Sequence, residues 1–381
     1  MKRRTLLAAC STGLFSGCIQ FTQGQSNSNG GFTGTTWEFE ADAPLTSPVS
    51  DGETVYVGSL NQSLFAINRT TGETEWSVSS EQFSSSELTM ANPFILEDSI
   101  VAQTDQDIVR IDKDSGEVQA AMTGYPGAEF ATVSAEMVVG EEVGEGVTAY
   151  ESIEGPRLWQ SGISTGYGHT YSPLIGDDIV LFATVSDYVN SPDADRDKDT
   201  RVFALDKDSG QKRWDFTPDD FIGRSAGIAY TLYDDIVVVD NEGKIFGLSG
   251  TDGSVLWEDE IERRGSGSSA PQPIPFEGNF WLVSGDIVSF QFETGTTNWT
   301  VSPESIHLTS KPPTQESMTW VPTGDFFEPS AITSISQDGT IGDTYDFPQS
   351  FEKSPAVDAG SVFISHSDGV LRAYDNLSRY Q

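Results

Sequence analysis

The phrase Ala66-Ile67-Asn68-Arg69-Thr70-Thr71-Gly72-Glu73-Thr74-Glu75-Trp76 returns as Ala204-Leu205-Asp206-Lys207-Asp208-Ser209-Gly210-Gln211-Lys212-Arg213-Trp214. Looser copies close on Gly155 and Trp159, Gly253 and Trp257, and Gly295 and Trp299, each with glycine four residues before tryptophan. The copy Ile111-Asp112-Lys113-Asp114-Ser115-Gly116 keeps the turn and lacks the tryptophan. Self-similarity at a spacing of roughly 40 residues belongs to chains that stack one small unit many times, as a propeller or solenoid. No other feature constrains the fold as much.

Each copy reads as strands and turns. Thr54-Val55-Tyr56-Val57-Gly58 and Leu64-Phe65-Ala66-Ile67 are short β-branched and aromatic runs bounded by turn residues, which predicts strands. The Asp/Asn-x-x-Ser/Thr-Gly stretch predicts a hairpin, with short polar side chains capping it and glycine supplying positive φ. Upstream lie Ser47-Pro48, Asn92-Pro93, Ser172-Pro173 and Ser354-Pro355. Proline suits the first residue or free edge of a strand, here the innermost strand of a blade. Units start near Ser47, Asn92, Thr132, Ser172, Ser225, Pro271, Pro312 and Ser354. The last ends before an outer strand, and Thr33-Gly34-Thr35-Thr36-Trp37-Glu38-Phe39 reads as the missing piece. The expected fold is all-β: one eight-bladed β-propeller over residues 32–381, in four-stranded antiparallel blades, closed by the N-terminal strand. Seven blades is the alternative, because the third and seventh units are degenerate.

The Ala-x-Asp-x-x-Thr-Gly-x-x-x-Trp phrase resembles the tryptophan-docking repeat of the pyrroloquinoline-quinone-type (quinoprotein-like) eight-bladed propellers. The resemblance implies that Trp37, Trp76, Trp159, Trp214, Trp257 and Trp299 pack between blades rather than bind a ligand. One branch of that family holds the quinone and Ca²⁺ in a central funnel, with an adjacent-cysteine pair, acidic metal ligands and a catalytic Asp. This chain has no adjacent-cysteine pair, no cysteine after Cys18 and no Cys-x-x-Cys-His haem attachment. The other branch consists of non-catalytic propellers, including bacterial lipoproteins of the outer-membrane barrel-assembly machinery. The resemblance to that branch implies a binding scaffold and no quinone.

The N-terminus reads as a delivery signal. Lys2-Arg3-Arg4-Thr5-Leu6-Leu7 has the form of a twin-arginine export signal, followed by an apolar stretch through Phe15 that is too short to span a bilayer. Leu14-Phe15-Ser16-Gly17-Cys18 has the form of a lipobox, so residues 1–17 are read as the signal and Cys18 as the lipidated residue. The alternative is a plain leader in which Cys18 is incidental. Residues 18–31 include Gln23-Gly24-Gln25-Ser26-Asn27-Ser28-Asn29-Gly30-Gly31, a polar tether. The expected location is the outer face of the cytoplasmic membrane, at the cell surface.

The 58 acidic and 21 basic residues give a formal charge of −37, spread along the chain. Such a surface repels nucleic acid and anionic lipid, which leaves envelope proteins or glycans as partners and a lipid anchor as the contact with membrane. Acidic excess with few lysines resembles proteins of salt-loving archaea, where salt screens the repulsion.

Two features could carry ligand chemistry. The insertion Asn190–Asp199 places Asp193, Asp195, Asp197 and Asp199 at the alternate spacing of calcium loops. It is no EF-hand, since Lys198 stands where glycine is needed and Ala204 where a bidentate Glu is needed. A solvated acidic loop, with Arg196 and Lys198 balancing the carboxylates, is the competing reading. Second, Arg224, Lys311 and Lys353 each stand just before the start of an innermost strand, with His169 slightly further upstream. Such starts share a propeller face with the loops between second and third strands. These cations would ring the funnel mouth, for an anionic ligand or an acidic partner segment, or merely balance charge. His169, His307 and His366 are too scattered to predict a metal site or a catalytic triad. Sequons occur at Asn61, Asn68, Asn298 and Asn376. Three function classes remain: a lipid-anchored scaffold, a small-ligand sensor or solute-binding lipoprotein, and a quinone-dependent oxidoreductase.

Overall fold

The computed structural model describes residues 35–61, 63–79, 92–104, 106–125, 131–142, 146–163, 172–184, 201–218, 228–241, 243–261, 273–276, 278–283, 285–303, 306, 312–315, 318–324, 329–351, 353–358 and 360–375. These form eight sheets of four strands and no helix. The first strand is β1 (Trp37–Glu40). Blade 1 holds β2 (Val49–Ser50), β3 (Thr54–Gly58), β4 (Ser63–Asn68) and β5 (Thr74–Ser79). Blade 2 holds β6 (Phe94–Leu96), β7 (Ser99–Gln103), β8 (Ile108–Asp112) and β9 (Val118–Met122). Blade 3 holds β10 (Thr132–Val133), β11 (Val138–Glu142), β12 (Gly146–Tyr150) and β13 (Arg157–Gln160). Blade 4 holds β14 (Leu174–Ile175), β15 (Ile179–Thr184), β16 (Arg201–Asp206) and β17 (Lys212–Phe216). Blade 5 holds β18 (Ala229–Tyr233), β19 (Ile236–Asn241), β20 (Lys244–Ser249) and β21 (Val255–Glu260). Blade 6 holds β22 (Ile274–Phe276), β23 (Asn279–Val283), β24 (Ile287–Gln291) and β25 (Thr297–Val301). Blade 7 holds β26 (Thr314–Gln315), β27 (Met318–Gly324), β28 (Pro329–Ser336) and β29 (Ile341–Asp346). Blade 8 holds β30 (Ala356–Asp358), β31 (Ser361–Ser365) and β32 (Val370–Asp375), and β1 completes it, pairing Trp37 with Ala373 and Glu40 with Val370.

The ring therefore has eight blades and is closed by the N-terminal strand. The degenerate third unit is a regular blade. Burial explains the sequence pattern. The second strands β3, β7 and β31 are buried along their whole length, because both of their faces meet a neighbouring blade. Outer strands such as β17 and β21 have one solvated face and alternate. The apolar core is divided accordingly into clusters, each spanning one blade-to-blade seam. Leu181, Val202 and Ala204 of blade 4 meet Tyr230, Val237 and Val239 of blade 5, and comparable clusters fill the other seams. Stability lies in the seams, as nearest-neighbour coupling between repeats requires.

Two faces result. The connections from outer to innermost strand and from second to third strand open on one face, here called upper. The tight turns of the phrase, and those between first and second strands, open on the lower face.

Candidate functional site

The tryptophans explain how the disc is fastened. On each of the six outer strands that carry one, the indole Nε1 donates to a main-chain carbonyl in the next blade's lower turn. The pairs are Trp37 to Arg69 (2.7 Å), Trp76 to Lys113 (2.9 Å), Trp159 to Lys207 (2.6 Å), Trp214 to Gly250 (2.7 Å), Trp257 to Phe292 (2.7 Å) and Trp299 to Gln337 (2.8 Å). The indole face lies on the glycine of that same turn. Gly210 has φ +67°, and a Cβ there would stand 2.4 Å from Trp159. The phrase thus needs glycine for two reasons, backbone conformation and contact with the neighbour's indole.

The other letters have physical causes too. The small residue opening the phrase lies directly across the hairpin from the tryptophan: Ala66 opposite Trp76, Ala149 opposite Trp159, Ala204 opposite Trp214, Ala373 opposite Trp37. A bulge follows it at Ala66/Ile67, Ala149/Tyr150 and Ala204/Leu205. The Asp or Asn caps the turn. Asp206 Oδ1 accepts from the Ser209 amide (2.9 Å) and hydroxyl (2.7 Å), and Arg213 reaches across the hairpin to Oδ2 (2.8 Å). The Ser209 hydroxyl and Arg213 hold the Asp206 carboxyl at about 2. Asp112 repeats the cap with Ser115, and Asn68 with the Thr70 and Thr71 amides.

Blades 2 and 7 depart from the pattern. In β9 the tryptophan is replaced by Ala120, and its partner across the hairpin is Arg110, so the large and small positions are exchanged. Buried Ile153, from the next blade's turn, packs with Ala120 and Met122 in the seam that the indole would have covered.

Sequence reasoning missed a second fastening. The residue after the capping Asp or Asn is a cation in three blades, and it reaches the preceding blade's lower turn. Arg69 donates to the Asp358 carbonyl (3.0 Å) and the Ser361 hydroxyl (2.9 Å). Lys113 pairs with Asp51 (3.6 Å), and Lys207 with Glu136 (2.8 Å). The shared signal was the pair Asn68-Arg69, Asp112-Lys113 and Asp206-Lys207.

The ring-closing blade carries the most connected polar cluster. Arg372, 8 % exposed, pairs with Asp368 (2.7 Å) and with Glu38 of β1 (2.9 Å), and donates to Gln349 Oε1 (2.8 Å). It ties the chain's N-terminal strand to its C-terminal one. Beside it the Tyr374 hydroxyl lies 2.7 Å from His366 Nε2, while Nδ1 faces the Gln349 and Ser350 carbonyls at 3.1 Å. Two carbonyl acceptors at Nδ1 place a proton there, and in the neutral ring that burial favours Tyr374 donates to Nε2. Burial pushes Tyr374 up to about 12 and His366 below its ordinary value. The Arg372 charge further lowers His366, and Asp368 opposes this. The folded state therefore binds fewer protons at His366 than the unfolded chain does below about pH 6.5. Stability from this site is complete above that pH and falls as pH drops through it toward the lower folded value. The expected slope is up to ~1.4 kcal/mol per pH unit. Urea midpoints measured from pH 8 to 5.5 should decline in the wild type and flatten in His366→Gln. The depressed carboxylates Asp206 and Asp368 act only at more acidic pH.

The predicted ligand-site residues fare unevenly. Asp193, Asp195, Asp197, Asp199, His169, Arg224 and Lys311 lie outside the described residues, as do Arg3, Arg4 and Cys18. Lys353 is described and exposed, on the upper face just before β30. Thr184 and Arg201, between which the acidic insertion runs, pair at the upper end of blade 4. Asn68 and Asn298 use their amide nitrogens internally, toward Glu75 for the first and toward Asn279 and Ser289 for the second. Among the described residues nothing supplies the donor set of a quinone–Ca²⁺ centre. Cysteine occurs only at Cys10 and Cys18, and no group of three His, Cys, Asp or Glu converges among the described residues.

Comparison with known proteins follows the fold. The sequence pattern of the outer membrane protein assembly factor BamB family matches residues 28–187 and 127–273. No curated protein sequence matches this chain. Among solved structures, BamB from Moraxella catarrhalis superposes with a TM-score of 0.60 at 15% identity, covering 90% of this chain and 99% of that one. Quinohemoprotein alcohol dehydrogenase from Comamonas testosteroni gives 0.60 at 13% identity, over 90% of this chain and 76% of the enzyme. Saccharomyces cerevisiae Sqt1 gives 0.60 at 11% identity, over 90% and 98%. At such identities the likeness is one of fold, shared by enzymes and non-enzymes alike.

Proposed function

This chain belongs to the outer membrane protein assembly factor BamB family, and from that premise we propose that it is a non-catalytic binding and assembly scaffold. It is exported by a twin-arginine signal and held by a lipid on Cys18 at the outer face of the cytoplasmic membrane. The observation that carries this reading is how the perturbed titratable groups are spent. Asp112, Asp206, Asp252 and Asp338 cap lower turns. Asp51 and Glu136 receive inter-blade lysines, and Asp368 and Arg372 latch the closing blade. Among the described residues these groups serve the fastening of the disc, and where they gather, as His366, Asp368, Arg372 and Tyr374 do, it is in the latch of the closing blade.

The family's name speaks of assembly, which supports a partner-binding role here. Envelope proteins or glycans would meet the upper face, where Lys353 offers a scarce positive charge on a chain of net charge −37. The acidic surface opposes nucleic acid as a partner. The acidic insertion near Thr184 and Arg201 would overhang that face and could take Ca²⁺.

One membrane preparation tests both halves of the reading. Wild-type protein should stay with washed membranes and Cys18→Ala should leave them for the medium. The extracted wild type, given pyrroloquinoline quinone and Ca²⁺, should show no dye-linked dehydrogenase turnover. Turnover would overturn the scaffold reading; retention of Cys18→Ala would overturn the anchor.

A further inference from the structure

The seam between blades 5 and 6 lacks the strap that fastens others. The position held by Arg69, Lys113 and Lys207 in their blades is Phe292 here. Its carbonyl still accepts the Trp257 indole, but its ring turns inward, 1 % exposed, and stacks on Tyr233 with centroids 4.9 Å apart and planes at 19°. A cleft of about 290 Å³ opens on the lower face where the cation would lie, lined by Tyr233 and Phe292 with Asp234, Gly278, Asn279 and Glu293. Asp234 and Glu293 are exposed. Among the described residues neither side chain has a hydrogen-bond or ion-pair partner. At the blade 8–blade 1 seam, by contrast, the Arg69 guanidinium stands 6.0 Å from the Phe363 ring centroid while its nitrogens reach the neighbouring turn.

We propose that this cleft receives an arginine or lysine side chain from a partner protein, seated where the chain's own cations sit at the strapped seams. The aliphatic stem would lie along the half-buried Tyr233 and Ile236, and the charged head would meet Asp234 and Glu293. Arginine fits better than lysine, because its planar head also stacks on aromatic faces. A divalent metal is the poorer occupant, since the cleft offers two carboxylates among aromatic rings rather than an oxygen cage. The source of the side chain rests on the scaffold reading; the site itself rests on the cleft.

The test is amide-resolved NMR of the full chain titrated with acetyl-Gly-Gly-Arg-Gly-Gly-amide in about 1 M salt, where unspecific attraction to the acidic surface is screened. The neutral control replaces arginine with citrulline. Saturating shifts of the Gly278, Asn279 and Phe292 amides are expected. They should weaken about tenfold or more with citrulline and in Asp234→Asn/Glu293→Gln, as loss of a charged hydrogen bond implies. Both substituted residues are exposed, so the remaining spectrum should be unchanged. Equal shifts at ordinary acidic turns such as Asp114 and Asp208, no saturation at the cleft, or equal binding of citrulline would overturn the proposal. Saturation at the cleft without any co-purifying partner would keep the site and count against the scaffold.

Discussion

Trp214→Ala should lower unfolding stability by about 3–5 kcal/mol, the cost of deleting a large buried aromatic with little local collapse. The indole is 6 % exposed, lies in the blade 4–blade 5 cluster and donates to the Gly250 carbonyl at 2.7 Å. Truncation removes the packing and leaves that carbonyl without its donor. Because blades couple only to their neighbours, the loss should be local in origin: hydrogen exchange should rise first in β17 and β20. A loss under about 1 kcal/mol in urea unfolding would show that the docks are incidental and that the ring is held by its strands alone.

Gly210→Val should cost about as much by the opposite route. The substitution adds volume where the backbone has φ +67° and where Trp159 leaves no room. A β-branched residue in the left-handed region is strained before any clash is counted. The decisive comparison is a double-variant cycle with Trp159→Ala. If the indole causes the clash, part of the Gly210→Val penalty disappears when it is gone, and the double variant's loss falls short of the sum of the two single losses by ~0.5–3 kcal/mol. Additive losses would assign the glycine to turn conformation alone.

The contrast between these positions shows what a sequence of this kind reveals. The repeat phrase carries its own mechanics: Ala204 opposite Trp214, Asp206 capping, Gly210 beneath Trp159, each dictated by chemistry within or next to one hairpin. Ring closure was legible for the same reason, since an unpaired last unit and an orphan Trp37 strand can only satisfy each other. The inter-blade straps were not. Arg69 and Ser361 are 292 residues apart, and nothing in the phrase says that the cation reaches backward to the previous blade. Degeneracy was also misplaced at the third unit, whose looser spelling still delivers Trp159 to Lys207. The blades without a tryptophan dock are the second, where Arg110 and Ala120 exchanged sizes, and the seventh, whose degenerate unit was legible and whose outer strand carries no tryptophan. The cations expected at the funnel mouth were legible only as a register of scarce charges. Of them, Lys353 alone falls among the described residues.

The central claim is that this propeller works by holding partners. Its most direct test is capture of the native protein from its own membranes at high salt, with mass spectrometry of what accompanies it. The account predicts reproducible envelope proteins that are lost when Arg224, Lys311 and Lys353 are together changed to Glu, while the circular-dichroism spectrum and urea midpoint stay unchanged. A preparation free of partners but carrying a bound or coloured small molecule would contradict it.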